Sequence, residues 1–204
     1  MSRWKRISLL IIFTLIFGII AFFHESRLGK WIDNEVYEFI YSSESFITTT
    51  IFLGVTKVGE VWAMVCLSLL LVAYLMLKRL NIEALFFAIA MSLSSTLNPL
   101  LKNIFDRERP TLLRLIDISG FSFPSGHAMG STAFFGSTIY IANRVMKDKS
   151  KAFMIGLSAL FIIMISSSRV YLGVHYPTDI IAGIIGGAFC VVLSTLILRH
   201  KLQV

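Results

Sequence analysis

Cysteine occurs only twice in 204 residues, as Cys66 and Cys190, and each lies inside an apolar run. A disulfide framework is therefore not expected, and both are read as buried thiols. Charge is also scarce. Only 15% of residues are charged, against about 25% in soluble domains, and those present gather between long apolar runs. There is no repeat, low-complexity tract or linker, so a single domain over 1–204 is expected. No His, Asp and Glu set has the spacing of metal ligands, so no metal or other cofactor is expected. The basic start followed by an apolar run lacks a small-residue cleavage site, which favours a retained span over a signal peptide.

Hydrophobic residues make up 56% of the chain and the mean hydropathy is +0.78, far from soluble averages. The fold class expected is all-α: a polytopic membrane protein with six transmembrane helices and an interfacial amphipathic helix after the first span. The spans read Ile7 to Phe23, Val61 to Leu77, about Ile82 to Leu101, from His127 to about Val145, Ala152 to Ser168, and Ile180 to Leu198. The Ile47 to Val58 segment leads into the second. Residues 24–60 mix Trp31, Tyr37 and Phe39 with Asp33, Glu35 and Glu38, the pattern of a surface helix with an aromatic anchor.

The net charge of +7 does not mark a nucleic-acid binder, because it is distributed by side. Loops on one side carry eleven basic residues against two acidic ones; the other side carries eight against ten. That bias puts both termini in the cytoplasm. Arg144, Lys147, Lys149 and Lys151 read as part of this signal. His24 and His200 have no partner at useful spacing and read as interfacial.

The most informative stretch runs from Ser168 to Asp179. His175 and Asp179 are four residues apart, with Pro177 suited to the first turn of a helix. Asp179 can then reach back to one His175 ring nitrogen, leaving the other as a lone pair for a nucleophile or base. Arg169, always charged, offers a planar fork to phosphate oxygens. Alternatively, His175 and Asp179 merely cap a helix while Arg169 snorkels to headgroups. Ser125 is a candidate N-cap, with Gly126 permitting close approach to the backbone and the free amides there forming an anion seat. Lys102 and Arg109, if helical, share a face about 10 Å apart. Asp106, Arg107 and Glu108 read as a solvated surface ion-pair group. Six spans bring all these clusters to the outer side of the membrane.

Lys102-x6-Arg109-Pro110, Pro124-Ser125-Gly126-His127 and Ser168-Arg169-x5-His175-x3-Asp179 together resemble the three-part signature of the type 2 phosphatidic acid phosphatase superfamily. The resemblance spans residues 102–179. It implies that His175 attacks phosphorus to form a phosphohistidine and that Asp179 orients it. It implies that His127 protonates the leaving oxygen and then takes a proton from water. Lys102, Arg109, Arg169, the Ser125 hydroxyl and the Gly126 amide would hold the nonbridging oxygens. One histidine must then be neutral while the other is protonated, although both begin near a pKa of about 6.5.

A phosphate site at the outer surface, fed by apolar helices, favours a lipid phosphate held in the bilayer as the substrate partner. Phosphatidylglycerophosphate ranks first and undecaprenyl diphosphate is the alternative. A soluble sugar phosphate is a third possibility, and a transporter for phosphorylated lipid a fourth. Oligomeric state stays open, since Gly183 and Gly187 suit contacts within one chain or between two.

Overall fold

The computed structural model describes residues 2–111, 114–199 and 201. His200 lies outside them. Among the described residues eight helices follow in order: α1 (Arg3–Phe23), α2 (Arg27–Tyr41), α3 (Phe46–Val58), α4 (Val61–Leu77), α5 (Asn81–Phe105), α6 (Gly126–Val145), α7 (Asp148–Tyr171) and α8 (Pro177–Ile197). Serine hydroxyls of Ser2, Ser26, Ser45 and Ser125 cap four of them by accepting a backbone N–H three residues on, satisfying donors that the helix leaves open. α8 begins on Pro177, whose missing N–H costs nothing at that position.

Four helices, α1, α5, α7 and α8, are long and apolar enough to cross a membrane. α3 and α4 qualify together as a pair bent by 57° across Gly59 and Glu60. The expected count of six is therefore not reached on length and composition, and α6 is the reason. It is packed on α5, α7 and α8, and its buried residues include Ser131, Thr132 and Ser137. A helix surrounded by protein does not need lipid-compatible side chains all round. α1 is the opposite case, with Ile11, Leu15, Ile19 and Phe22 exposed along an apolar surface, as a lipid-facing helix requires.

The packing of α6 on α8 depends on missing side chains. A Cβ on Gly183 would lie 2.7 Å from the Ser125 carbonyl oxygen, and one on Gly187 2.5 Å from that of Met129. This glycine pair thus serves a contact within one chain. At the far end, Arg144 Nε donates to Glu83 Oε1 at 3.1 Å, so Arg144 is tied to α5 as well as contributing to the charge bias. Cys190 is buried as expected, whereas Cys66 is exposed on α4.

Aromatic packing connects α1 to the loop before α6. Phe123 is fully buried between Phe17, Phe105 and the ring of His24, which stacks on it at 4.9 Å and 16°. His24 is therefore a packed residue with its Nδ1 on the Ala21 carbonyl at 2.8 Å, not an unpartnered interfacial one. α2 buries Gly29 and Asp33 while exposing Leu28, Trp31 and Phe39, which agrees with an amphipathic surface helix.

Candidate active site

The C-terminal ends of α5 and α7, the N-terminal ends of α6 and α8, and the loops between them meet around one cavity of about 820 Å³. Lys102, Arg109, Gly126, His127, Arg169 and His175 all line it. Residues separated by up to 73 positions thus share one space.

His175 sits between helices, and its geometry assigns its tautomer. Arg109 Nη1 lies 3.2 Å from His175 Nε2. A guanidinium has donors only, so Nε2 must be the acceptor and the ring proton sits on Nδ1. That nitrogen faces Asp179 Oδ2 at 3.4 Å and Ser122 Oγ at 3.2 Å. Asp179 Oδ2 also accepts from Ser122 Oγ at 2.5 Å and from the Tyr176 amide at 2.9 Å. The last bond is half of a capping box at the start of α8. Burial lowers the His175 pKa to about 4, helped by the charges of Arg109 and Lys102 and opposed by Asp179. The imidazole is therefore neutral near pH 7, with its Nε2 lone pair available as an acceptor.

The cations are held by neutral oxygens. Arg169 is buried in the last turn of α7 and donates from Nη1 to Thr56 Oγ1 at 2.5 Å, while its Nε has no partner among the described residues. Lys102 Nζ donates to the carbonyls of Phe121 and, at 3.3 Å, Ser122. Arg109 spreads its fork over Gly120 O at 2.8 Å, Val174 O at 2.9 Å and Ser119 O at 3.3 Å. Among the described residues none of the three forms a salt bridge, so their charge is directed at the cavity rather than at a local carboxylate.

His127 lies in the first turn of α6, and its buried Nε2 has no hydrogen-bond partner among the described residues. Gly59, at the bend between α3 and α4, approaches the ring so closely that a Cβ would lie 2.7 Å from Cδ2. Gly126 does line the cavity, but its open side is taken partly by Asn98, whose Oδ1 would be 3.0 Å from a Cβ there. Ser125 is fully buried and away from the cavity lining; its hydroxyl caps α6 by accepting from Ala128 N at 3.4 Å. The Ser125 oxygen thus serves the α6 cap, directly behind Gly126, which does line the cavity.

Two expectations fail. Lys102 and Arg109 do not share a helix, because α5 ends at Phe105 and Asp106 takes a left-handed conformation with φ of 37°. Residues 106–110 run on without helix, and the two-residue period of extended chain turns Arg107 and Arg109 inward and Asp106 and Glu108 outward. Arg107 is consequently 7% exposed and not a solvated ion-pair residue. Its Nη1 donates to Asp179 Oδ1 at 2.7 Å, and its Nη2 to Asp33 Oδ2 at 2.8 Å. Asp33, Ser122 and Thr56 were also missed. Only Arg107 carried a local signal: the residues before Pro110 avoid helix, so alternate side chains share a face.

The arrangement offers a neutral imidazole oriented by a carboxylate, a second imidazole and three cations around one void. This is equipment for attack on an anionic centre whose charge is spread over several oxygens. Among the described residues, no group of three or more His, Cys, Asp or Glu side chains is placed to hold a metal ion.

A match to the PAP2 superfamily covers residues 83–202. Phosphatidylglycerophosphatase B of Bacillus subtilis is 29% identical over 132 residues, covering 64% of this chain and 65% of that protein; the chain thus spans just under two thirds of that relative. Undecaprenyl-diphosphatase of Sulfolobus acidocaldarius is 25% identical over 194 residues, covering 94% and 88%. The crystal structure of the transmembrane PAP2-type phosphatidylglycerolphosphate phosphatase of Bacillus subtilis superposes with a TM-score of 0.85 at 24% identity, covering 94% of this chain and 96% of that one. That likeness establishes a common fold. With more than half of its length matched, and with an all-helical multi-pass architecture, this chain belongs to the PAP2 superfamily.

Proposed function

We propose that the protein is a membrane lipid phosphatase that hydrolyses the phosphate monoester of phosphatidylglycerophosphate through a phosphohistidine at His175. The observation that carries this reading is the shape of the cavity. Its charged end holds both histidines and the three cations, and it continues between apolar residues of α4, such as Val61, Val65 and Leu69, and one wall of α5. A phosphate with a bilayer-embedded remainder fits such a void better than a wholly soluble sugar phosphate. The site faces the extracytoplasmic side, with both termini in the cytoplasm, on the charge bias between the loops.

Chemistry then follows from the residues. Lys102, Arg109, Arg169 and the Gly126 amide neutralise the nonbridging oxygens. His175 Nε2 attacks phosphorus as the bond to the lipid oxygen breaks, and His127, protonated in the presence of the bound phosphate dianion, supplies that oxygen with its proton. Asp179 balances the charge acquired by the His175 ring. Water, losing its proton to His127, then attacks the phosphohistidine, releasing inorganic phosphate and restoring both rings. The three cations occupy the electrostatic role of metal ions in other phosphoryl-transfer sites.

The α5 wall favours a glycerolipid over undecaprenyl diphosphate, which remains the alternative. Ser92, Ser95 and Thr96 line the cavity with exposed hydroxyls that have no partner among the described residues. Ser95 lies seven residues, about 10 Å, along the helix from Lys102. Fatty-acyl ester carbonyls can accept from such hydroxyls, whereas a polyprenyl chain offers them nothing.

Phosphate release from phosphatidylglycerophosphate, undecaprenyl diphosphate, phosphatidate and glucose phosphate in the presence of a chelator tests the reading. Phosphatidylglycerophosphate is expected to turn over fastest, and chelation to change no rate. Equal rates on glucose phosphate, or loss of activity with chelator, would refute it.

The lowered His175 pKa gives a second check. A group whose pKa falls on folding stays deprotonated down to the folded value, so the ring protonates only as the pH drops through about 4. Imidazole 15N shifts recorded on the substrate-free protein are expected to stay constant from pH 8 to 5. A midpoint at the ordinary histidine value would mean that water reaches the ring.

A further inference from the structure

Asp33 comes from α2, fifty residues before the matched part of the chain begins. It is a buried carboxylate, 3% exposed, on a helix that otherwise buries only Gly29 fully. A buried charge is poor value for stability, since a well-packed apolar side chain serves as well or better. This one is fully engaged. Oδ1 accepts from the Thr178 amide at 2.8 Å; Oδ2 accepts from Arg107 Nη2 at 2.8 Å and Thr178 Oγ1 at 3.0 Å. Burial raises the Asp33 pKa, and its bonds to Arg107 and Thr178 oppose the rise.

We propose that Asp33 and Arg107 are positioning residues for the His175–Asp179 pair, so that the surface helix α2 completes a site whose recognisable motifs all lie C-terminal to it. Arg107 stands between two carboxylates, Asp33 and Asp179, with its guanidinium 3.9 Å from the centre of the Tyr176 ring. Nη1 also donates to Thr178 Oγ1 at 2.8 Å. The bond from Arg107 occupies Asp179 Oδ1 and so sets the rotation that leaves Oδ2 for Ser122, Tyr176 N and His175. A carboxylate turned otherwise would not hold the Nδ1 proton, and the Nε2 lone pair would lose its direction. Arg107 and Asp33 do not line the cavity, so they act through Asp179 and the first turn of α8 that carries it.

Charge gives the same assignment. Asp33, Arg107 and Asp179 sum to one negative charge beside His175, which becomes cationic in the phosphoenzyme. Around that ring, Asp179 is the opposing carboxylate, Ser122 a neutral hydroxyl, Arg109 is in contact with Nε2, and Lys102 and His127 are the other charged or titratable groups that face it. Without Asp33 the trio is neutral and the imidazolium loses its counter-charge. Without Arg107 two carboxylates are buried together, and one must take a proton.

α2 is seated firmly enough for the role. A Cβ on Gly29 would fall 2.5 Å from the His24 carbonyl oxygen, and Tyr37 and Ile40 pack on Ala128, Val170 and Ile180 of α6, α7 and α8.

This inference rests on the lipid phosphatase reading for its kinetics but not for its ring chemistry. The full chain in nanodiscs carrying Asp33→Asn, a change of charge at constant size, is expected to lose about 10- to 100-fold in kcat on phosphatidylglycerophosphate, as for other residues that orient a reacting group. KM should move less than threefold. Arg107→Gln should lose more, and the double variant no more than Arg107→Gln alone, because both act through one carboxylate. On substrate-free protein, the His175 15N midpoint should fall further in Asp33→Asn with the thermal unfolding temperature unchanged. That arm separates this proposal from a wrong substrate. If Asp33→Asn folds poorly, Asp33→Gly with added formate replaces it, and formate is expected to restore turnover. An unchanged His175 midpoint, a loss confined to KM, strictly additive losses, or no recovery with formate would overturn the assignment.

Discussion

Replacing His175 by alanine is expected to lower the rate of phosphate release by at least about 10^4-fold, the scale seen when a covalent nucleophile is removed. The substitution leaves in place Lys102, Arg109 and Arg169, to which the proposed function assigns the attraction for the phosphate group. Retention of the lipid phosphate should thus change far less, by under about tenfold, because the lost interaction is made during reaction and not on binding. Single-turnover phosphate release and lipid co-retention, measured on the same purified preparation, separate the two quantities. Acid-labile radiolabel from a labelled substrate should attach to the wild type and be absent from the variant. The result also decides against a lipid phosphate transporter, for which movement of lipid across a vesicle would survive His175→Ala. Turnover within tenfold of wild type would remove His175 from the nucleophile position.

Arg109→Lys is expected to cost about 10^2- to 10^3-fold in kcat/KM, comparable to removing a preorganised donor from an oxyanion-binding site. The charge is conserved, so a simple attraction would survive. What goes is the fork: Arg109 donates to Gly120 O, Ser119 O and Val174 O while presenting Nη1 to His175 Nε2. Those carbonyls fix the guanidinium plane before any substrate arrives. A lysine ammonium is a point charge on a flexible stem and cannot hold several fixed directions at once. It would also draw a stronger hydration shell into the cavity. Steady-state kinetics on phosphatidylglycerophosphate in mixed micelles make the measurement. A loss under threefold would show that Arg109 contributes charge alone.

The sequence was most legible where a residue type is tied to a backbone constraint. Pro177 marks the start of α8, so the His175–Asp179 pair and its capping geometry could be read from four positions. The glycines of α8 likewise announced a close helix contact. Asp33 was hidden because nothing local separates it from Glu35 and Glu38 on the same amphipathic helix; only the tertiary position of Arg107 makes it an inward carboxylate. Thr56 was hidden for the same reason, its partner Arg169 lying 113 residues away. Ser125 is a mixed case. Its hydroxyl accepts the Ala128 amide at the start of α6, a use the sequence also allowed, while its own proton stays available to an acceptor. The spacing of Lys102 and Arg109 suggested a shared helix face, but Asp106 in the left-handed region ends α5 between them. α6 was counted as an ordinary span although protein, not lipid, surrounds it.

The contact between Arg109 and His175 has one more consequence. The Nε2 lone pair of His175 accepts from the Arg109 guanidinium. If His175 is the nucleophile, as proposed, its attacking nitrogen is covered by a cation, and loss of a proton would not uncover it. A guest with enough negative oxygen to draw the guanidinium toward itself would expose the nitrogen, making arrival of the right headgroup and arming of the reaction a single event. Esters and other weakly charged electrophiles would meet a capped imidazole.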